Sequence, residues 1–379
     1  MNKILQMLLI GFLIQINNNI LTAYWFDIIN LKKFLSNNPE VIYIPCSDEL
    51  FFEYKEFPLS INPANHPNIG NFDKTYILKI PNAQIQAHCG FVTYKNQFIE
   101  EFIWKKIWSH LQYLFEIPQK EVSKINGKVA VISQVAYFNY WHWLSEIMCR
   151  LALLEIQGIE YDYLYVNQDS KFMKDTLELW GIPSCKIIHP ANNNFAITAD
   201  EVILPSLVSN VNFGLALFSC YGQPYLLEYV RKKLLTAALR QTPTKIFSKK
   251  IFISRKDSNI RNIINEDELF RALKPYGFER YELAKLSVVD QIQLFNQADI
   301  IVSPQGTGLA NSIFCKPNVK IIELFQSLND ATFWYLSQDF NFNYAAVQTA
   351  QFIENYITAW QSPTIIPLQV VDLIKPLIE

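Results

Sequence analysis

The chain has 379 residues, a length typical of two domains. Half of the residues are hydrophobic, 18% are charged and the net charge is −2. This composition indicates a globular protein and excludes a disordered one, and it offers no excess of positive charge for binding nucleic acid. The six cysteines are scattered without a CxxC pair, so we expect free thiols in a reducing compartment.

Residues 1–29 form an N-terminal apolar segment. Its apolar run, 4–16, is shorter than the roughly 20 residues of a membrane-spanning helix. One interpretation is a signal peptide with a weak cleavage site at Leu21-Thr22-Ala23. The favoured interpretation is a buried or membrane-surface helix. We therefore expect a cytoplasmic protein, with this segment as the candidate for peripheral membrane contact.

Residues 30–220 alternate strand-like and helix-like segments, which predicts an α/β domain. The strand-like runs are VIYIP, TYILKIP, KVAVIS, YDYLYV, CKIIHP and EVILP. Helices are expected over 140–156 and 170–180, and a further helix over 221–241. The polar stretch that follows this last helix is where we place the domain boundary.

Residues 245–350 are expected to form a second α/β domain. Its strands are predicted at 250–254, 278–283, 300–304 and 319–325. Asn265 with Glu268, and Ser287 with Asp290, form capping-box patterns that predict two helix starts. Strands joined by helices of ordinary length indicate a parallel, doubly wound sheet, which binds ligands at the carboxyl ends of its strands.

A glycine pair occupies one of these strand ends. Gln305, Gly306, Thr307 and Gly308 follow the third strand, and a helix is expected to begin near Leu309. Backbone amides at such a turn suit an anion such as phosphate, and glycine lets a ligand approach closely. A tight turn that needs positive φ explains the pair equally well. The turn lacks the GxGxxG and GxxxxGK[ST] patterns, so neither a dinucleotide oxidoreductase nor a P-loop NTPase is indicated.

Three charged residues are predicted at the same edge of the sheet. Arg255 and Arg261 lie in the loop after the first strand, and guanidinium groups bind phosphate oxygens in a bidentate manner. Glu323 ends the fourth strand, where a carboxylate is suited to ribose hydroxyls. The alternative is a solvated basic loop and an ordinary charge at a strand end.

The helix over 140–156 carries a second candidate site. His142, Glu146 and Arg150 recur at i, i+4 and i+8, beside Trp141 and Trp143. A polar stripe beside aromatic rings suits a sugar pocket, with Glu146 or His142 as a general base. The alternative is a surface helix with a solvated Glu146–Arg150 pair. The spacing is not H-E-x-x-H, so no metal site is expected.

Three blocks of the sequence resemble glycosyltransferase family 61, the capsular polysaccharide biosynthesis proteins. The blocks are NYWHWLSEIMCRL at 139–151, IFISRKDSNIRNIINEDEL at 251–269 and the long segment 277–324. Together they cover roughly 125–325. The resemblance implies a GT-B fold, with two Rossmann-like domains facing a cleft. It also implies an inverting, metal-independent hexosyl- or pentosyltransferase that takes a nucleotide-sugar donor, usually UDP-linked.

The resemblance also assigns residues to the two substrates. By the resemblance, the donor would be held by Arg255, Arg261, Gln305, Gly306, Thr307, Gly308 and Leu309. Glu323, at the same edge of the sheet, is added for the ribose hydroxyls because of its position at the end of its strand. Glu146 is our first candidate for the catalytic base and His142 our second. For the acceptor glycan in the domain 30–220, we assign Asn139, Trp141, Trp143 and Arg150.

One position departs from the family pattern. The family's turn most often reads His-Gly-Ala-Gly, whereas here it begins with Gln305. Glutamine forms hydrogen bonds but cannot carry a positive charge, so the arginines would have to supply the charge that stabilises the leaving diphosphate.

The sequence therefore predicts an inverting glycosyltransferase that acts in surface or capsular polysaccharide synthesis and needs no cofactor. A non-catalytic carbohydrate- or nucleotide-binding protein derived from the same fold is the alternative, and a nucleotide-dependent oxidoreductase is disfavoured. The C-terminal tail, 351–379, is expected to return to the first half.

Overall fold

The computed structural model describes residues 27–59, 69–103, 122–192, 195–209, 221–243, 246–325, 330–349 and 362–378. Residues 1–26 lie outside these ranges, so the interpretation of the N-terminal apolar segment stays a prediction. Within the ranges, no helix combines the length and the apolar character needed to cross a membrane.

The first half of the chain is built on a mixed sheet of ten strands. In chain order, the strands of this half are β1 Asp27–Ile29, β2 Ile42–Ser47, β3 Leu50–Glu53, β4 Ile69–Phe72, β5 Thr75–Pro81, β6 Gln84–Gln86, β7 Phe91–Tyr94, β8 Gln97–Ile99, β9 Ser123–Val131, β10 Tyr163–Tyr165, β11 Ile187–Ile188 and β12 Ala196–Pro205. The sheet order is β1-β8-β7-β6-β12-β9-β10-β11, with β5 and β2 attached through β12, while β3 and β4 pair separately. Parallel pairing runs from β12 to β11 and also joins β1 to β8, and the other pairs are antiparallel. The predicted α/β class is confirmed, and the sheet also contains antiparallel strands that the sequence did not predict.

In the described ranges, four helices accompany this sheet. They are α1 Leu31–Asn37, α2 over 140–156, α3 Lys171–Trp180 and α4 Pro224–Leu239. Helix α2 comprises Tyr140–His142, a π-helical turn at Trp143–Ile147 and the segment Met148–Ile156. The π turn and nearly all of the following segment are buried, so the alternative of a surface helix is wrong.

The second half carries a five-stranded parallel sheet. Its strands are β13 Lys250–Ile253, β14 Glu279–Tyr281, β15 Ile300–Pro304, β16 Lys320–Phe325 and β17 Asn343–Gln348. The sheet order is β14-β13-β15-β16-β17. The first four strands confirm the predicted ones, and β17 extends the sheet. The strand order reverses direction between β13 and β15, which is where doubly wound sheets open a crevice for ligands.

Within the described ranges, the α-helices of this half are α5 Glu266–Leu273, α6 Val288–Gln297, α7 Thr332–Asp339 and α8 Val370–Ile378, and a 3-10 helix spans Thr307–Phe314. Ser287 caps α6 by accepting from the Asp290 amide, as predicted. The predicted capping box at Asn265 is wrong. The Asn265 side chain instead bonds the backbone N–H and C=O of Ile366, and so ties the C-terminal segment to the start of α5.

The C-terminal segment belongs to the second half. Ile366, Val370, Ile374 and Ile378 pack in one cluster with the strands β13, β15 and β16, including Phe252. The expectation that the tail returns to the first half is therefore wrong. Burial of its large aliphatic side chains explains the placement, because each contributes about 1.5–3 kcal/mol when removed from water.

A single hydrophobic cluster joins the two halves. It contains Leu151 of α2, Ile203 of β12, Leu234 of α4 and Ile301 of β15. Helix α4 contacts α2 and α3 of the first half and α6 of the second half. The helices of the two halves therefore pack against each other.

Candidate active site

A cleft of about 550 Å³ lies at the carboxyl edge of the second sheet. Its walls on this side are formed by Ser254 and Arg255 after β13, and by Gly306, Thr307 and Gly308 after β15. These two strands flank the point where the strand order reverses, so the cleft occupies the position at which such sheets bind ligands. The facing wall belongs to the first half and is formed by Phe138, Asn139, Tyr140, Lys171, Phe172 and Asp175.

Position 306 is a glycine because another group lies close to its Cα, and not because of its backbone angles. Its φ is 164°, which is extended backbone open to any residue. A Cβ at this position would lie 1.9 Å from Nη1 of Arg255. The explanation of the glycine pair by a left-handed backbone is therefore wrong, since neither Gly306 nor Gly308 has a φ in the left-handed region. The group that comes close to Gly306 is the protein's own guanidinium.

Arg255 binds its own loop to this turn. Its guanidinium donates to the backbone oxygens of Arg261, Gln305 and Ile260 at 3.1, 3.1 and 2.8 Å, and to the Ser258 hydroxyl at 2.9 Å. Burial, together with the charge of Arg261, lowers the pKa of Arg255 to about 10. The guanidinium is still protonated at neutral pH, so it keeps a positive charge in the wall of the cleft.

Glu266 supports the same strand end. Its carboxylate is 1% exposed and accepts from the Ser254 hydroxyl at 2.5 Å and from the Arg255 amide at 2.8 Å. This role was not predicted from the sequence. The available signal was an acidic residue at the first position of α5, directly after the Arg-rich loop.

Arg261 is 6% exposed and has a φ of 51°, in the left-handed region. It does not line the cleft. Its backbone oxygen accepts from Arg255, and its charge lowers the pKa of Arg255 and partly offsets the raised pKa of Glu323. Arg261 is therefore buried within the loop and outside the lining of the cleft, and its predicted contact with the donor stays a prediction.

Gln305, Glu323 and Leu309 also lie behind the cleft. Leu309 is fully buried, and its amide donates to the Gly306 oxygen at 3.1 Å. Glu323 is 0% exposed, accepts from the Tyr344 hydroxyl, and has a pKa that burial raises well above its ordinary value. Among the described residues, Oε1 of Gln305 and Oε1 of Glu323 have no hydrogen-bond partner. None of the three lines the cleft.

His142 and Glu146 form a hydrogen-bonded pair on α2. The Nδ1 atom of His142 lies 2.6 Å from Oε2 of Glu146, and the Ser209 hydroxyl donates to Oε1 of the same carboxylate. Glu146 is 0% exposed, whereas the His142 side chain is 14% exposed. With Nδ1–H donating to a carboxylate, a neutral imidazole carries its lone pair on Nε2. Neither residue lines the cleft, although α2 begins there.

The tryptophans of α2 are part of the core. Trp143 is 0% exposed and donates from Nε1 to the Thr176 hydroxyl at 2.7 Å. Trp141 is 5% exposed and packs on Tyr221 and Phe333. Both rings are thus covered by protein, so the prediction that they contact an acceptor is corrected: no open ring face remains for a sugar.

Arg150 is also buried and has a structural role. It is 2% exposed, and its guanidinium donates to the backbone oxygens of Ile132, Ser133 and Pro205 at the ends of β9 and β12. Burial lowers its pKa to about 9. Its predicted contact with an acceptor is corrected in the same way, because its donors are directed to strand ends.

Of the four residues assigned to the acceptor, Asn139 lines the cleft, and its neighbour Tyr140, which was not assigned, lines it as well. Asn139 caps α2 by accepting from the Trp141 amide at 2.9 Å. The Tyr140 hydroxyl donates to Oδ1 of Asn311 at 2.9 Å, and Asn311 in turn donates to Gln291 at 2.9 Å. This chain of bonds joins the first half to the 3-10 helix and α6, and the sequence offered no signal for it.

The described residues contain no group of three or more His, Cys, Asp or Glu side chains suited to a metal ion. Five cysteines fall within the described ranges, and each carries a free thiol.

Comparison with known families is consistent with this geometry. A family model matches residues 140–322, from α2 to β16, and so includes most of both walls of the cleft. The match is to the family Glycosyltransferase 61 and covers just under half of the chain. It confirms the resemblance seen in the sequence and supports assignment as a glycosyltransferase. A search of curated proteins gave no match.

Proposed function

We propose that the protein transfers a hexosyl or pentosyl group, with inversion, from a UDP-linked sugar to a hydroxyl of a glycan acceptor. The observation that carries the proposal is the cleft at the reversal point of a parallel sheet, in a chain that matches this family. A GT-B arrangement follows if the sheet of the first half faces the donor across the cleft. Surface or capsular polysaccharide synthesis, in the cytoplasm, is the role we propose for it.

In this proposal the donor diphosphate lies against the turn 306–308. The amides of Thr307 and Gly308 begin a 3-10 helix there, and backbone N–H groups at a helix start favour an anion. Arg255 adds a positive charge within the same wall. Because Gln305 is neutral, Arg255 is the group that stabilises the negative charge on the departing diphosphate.

The same proposal makes His142 the general base and Glu146 the residue that orients it. Nε2 of His142 takes the proton of the acceptor hydroxyl as its oxygen attacks the anomeric carbon. The bond from that carbon to the diphosphate oxygen breaks, and the nucleoside diphosphate leaves. The hydrogen bond between Nδ1 and Glu146 supports this order of roles, since a buried carboxylate stabilises the imidazolium that forms.

Thermal unfolding in the presence of nucleotides tests the donor assignment. Millimolar UDP should raise Tm while NAD leaves it unchanged, because a ligand that binds the folded state stabilises it. No shift with any nucleoside diphosphate would overturn the proposal.

A second measurement separates an enzyme from a binding protein of the same fold. Incubation with UDP-sugars in the absence of an acceptor should release UDP slowly in the wild-type protein. A UDP shift without any release of UDP, even with acceptors present, would favour the non-catalytic alternative.

A further inference from the structure

Phe138 is an exposed aromatic ring on the wall of the cleft. The residue is 69% exposed, whereas most large hydrophobic residues in the described ranges are buried. Phe138 lines the cleft on the side contributed by the first half. Single exposed rings occur on many protein surfaces, so it is the place of this ring inside a cleft of binding size that points to a ligand.

The position of the ring is set by its neighbours. Phe138 ends the turn after β9, directly before Asn139, which caps α2. Within this turn the Asn139 amide donates to the Ala136 oxygen at 3.1 Å. The Phe138 ring meets the Tyr137 ring edge-on, at 5.9 Å and 80°. Such a contact occupies at most one face of Phe138, so at least one face is available in that geometry.

Polar groups lie on the same wall. Lys171 and Asp175 are paired at the start of α3, and both line the cleft with Phe138. Their charges cancel, so this wall does not favour an ionic ligand. An apolar ring with a few hydrogen-bonding groups beside it is the usual composition of a small-molecule site. A neutral sugar matches it, because one face of a pyranose presents C–H groups while the rim presents hydroxyls.

We propose that Phe138 is the platform on which a neutral sugar of the acceptor glycan stacks, with Lys171 and Asp175 bonding its hydroxyls. The assignment rests on the proposed function, and it moves acceptor recognition from Trp141 and Trp143 to a nearby residue whose ring is open. The donor occupies the opposite wall, at the turn after β15.

The test compares F138A and F138Y with F51A. Phe51 lies on β3, is 67% exposed and does not line the cleft, so F51A removes a ring of similar exposure elsewhere. Methyl glycosides of glucose, galactose, mannose and xylose serve as acceptors, with UDP-sugars as donors. We expect F138A to raise the KM for the acceptor about tenfold, a value in keeping with the loss of one ring contact. F51A should behave as wild type, whereas F138Y, which keeps an aromatic ring at this position, should raise the KM for the acceptor less than F138A does.

Measurements with the donor distinguish failure of the Phe138 platform from failure of the proposed function. F138A should leave the KM for the donor, the UDP-induced Tm shift and the acceptor-free release of UDP unchanged. An unchanged KM for the acceptor would overturn the platform, and a raised KM for the donor would show that the ring stacks on the nucleotide base instead. The neutral-sugar assignment would be overturned if the enzyme transferred only to acidic sugars. It would also be overturned if the enzyme released UDP but transferred to none of these glycosides. Absence of both UDP binding and UDP release in the wild type would overturn the proposed function, and the platform with it.

Discussion

The guanidinium of Arg255 lies against the backbone of Gly306, in the space that a side chain would fill. Nη1 would be 1.9 Å from a Cβ at this glycine, and the same atom donates to the oxygen of Gln305 at 3.1 Å. The two residues, although far apart in the sequence, therefore depend on each other. Any side chain at 306 displaces the guanidinium from the turn.

The first prediction follows from this contact. G306A should lower the free energy of unfolding by about 1–3 kcal/mol through overpacking, and it should abolish the UDP-induced Tm shift. G308A is the matched control for the loss of stability and not for UDP binding, because Gly308 belongs to the same proposed donor-binding turn, whereas its Cβ would meet only the side chains of Leu283 and Ile253, at 3.1 and 3.3 Å. Chemical denaturation with and without UDP measures both. An equal loss of stability in the two variants would contradict the contact as the cause.

The second prediction concerns the shape of the Arg255 side chain. R255K keeps the positive charge but cannot reach the four acceptors that the guanidinium holds. We expect the KM for the donor to rise at least about tenfold while the protein remains folded, since loss of a charge-assisted hydrogen bond costs about 1.5–3 kcal/mol. K256A is the control, because Lys256 pairs with the exposed Asp267 and such pairs contribute little. A wild-type donor KM in R255K would show that charge alone is sufficient.

The third prediction concerns His142 and Glu146. H142A should reduce kcat by roughly 10²–10⁴-fold, the range for loss of a general base. E146Q should reduce kcat strongly as well, and the double variant should lose little more than H142A, because the two side chains act as a unit. The UDP-induced Tm shift should persist in all three. Full activity of H142A with an inactive E146Q would instead make Glu146 the base.

The fourth prediction concerns the π turn of α2. A Cβ at Gly222 would lie 2.1 Å from the backbone oxygen of Ser145, inside that turn. G222A must therefore move the turn or its own segment, and the His142–Glu146 pair flanks the point of contact. We expect kcat to fall at least about tenfold with donor binding retained, because a small displacement of catalytic groups is costly. Steady-state kinetics and UDP titration measure the two effects, and loss of donor binding would indicate a wider rearrangement.

The fifth prediction concerns Glu323, whose pKa burial raises well above its ordinary value. The folded protein holds a proton that the unfolded chain releases above about pH 4.3. The stability linked to this group is therefore complete below that pH and is lost as pH rises towards the folded pKa, by at most about 1.4 kcal/mol per pH unit. E323Q should flatten this decline in urea unfolding at pH values above the unfolded pKa. Parallel pH profiles for the two proteins would contradict the raised pKa.

The second half of the fold was largely predictable from the sequence. Its β-branched runs and the Ser287–Asp290 pattern depend on local preferences, and those preferences agree with the tertiary structure. The Asn265 pattern failed because a segment 101 residues away, at Ile366, competes for the same side chain. Local pattern contains no information about such a competitor.

The site was predictable in part. Gly306, Thr307, Gly308 and Arg255 do share one wall of a cleft, as their positions after neighbouring strands indicated. The aromatic residues were misassigned, because residue type does not distinguish a ring that fills a core from one that lines a cleft. Trp143 and Phe138 are both large aromatic residues but are 0% and 69% exposed, and their burial is decided by the packing of both halves.

The bonds of Arg255 have a consequence for the thermodynamics of donor binding. One side chain connects residues 258, 260, 261 and 305, so the loop and the turn are held as a single rigid unit before any ligand arrives. The conformational entropy of ordering this loop is lost during folding and need not be lost again on association. A nucleotide should therefore meet a preorganised surface, and calorimetry should record a small change in heat capacity, without the larger one that accompanies coupled folding and binding.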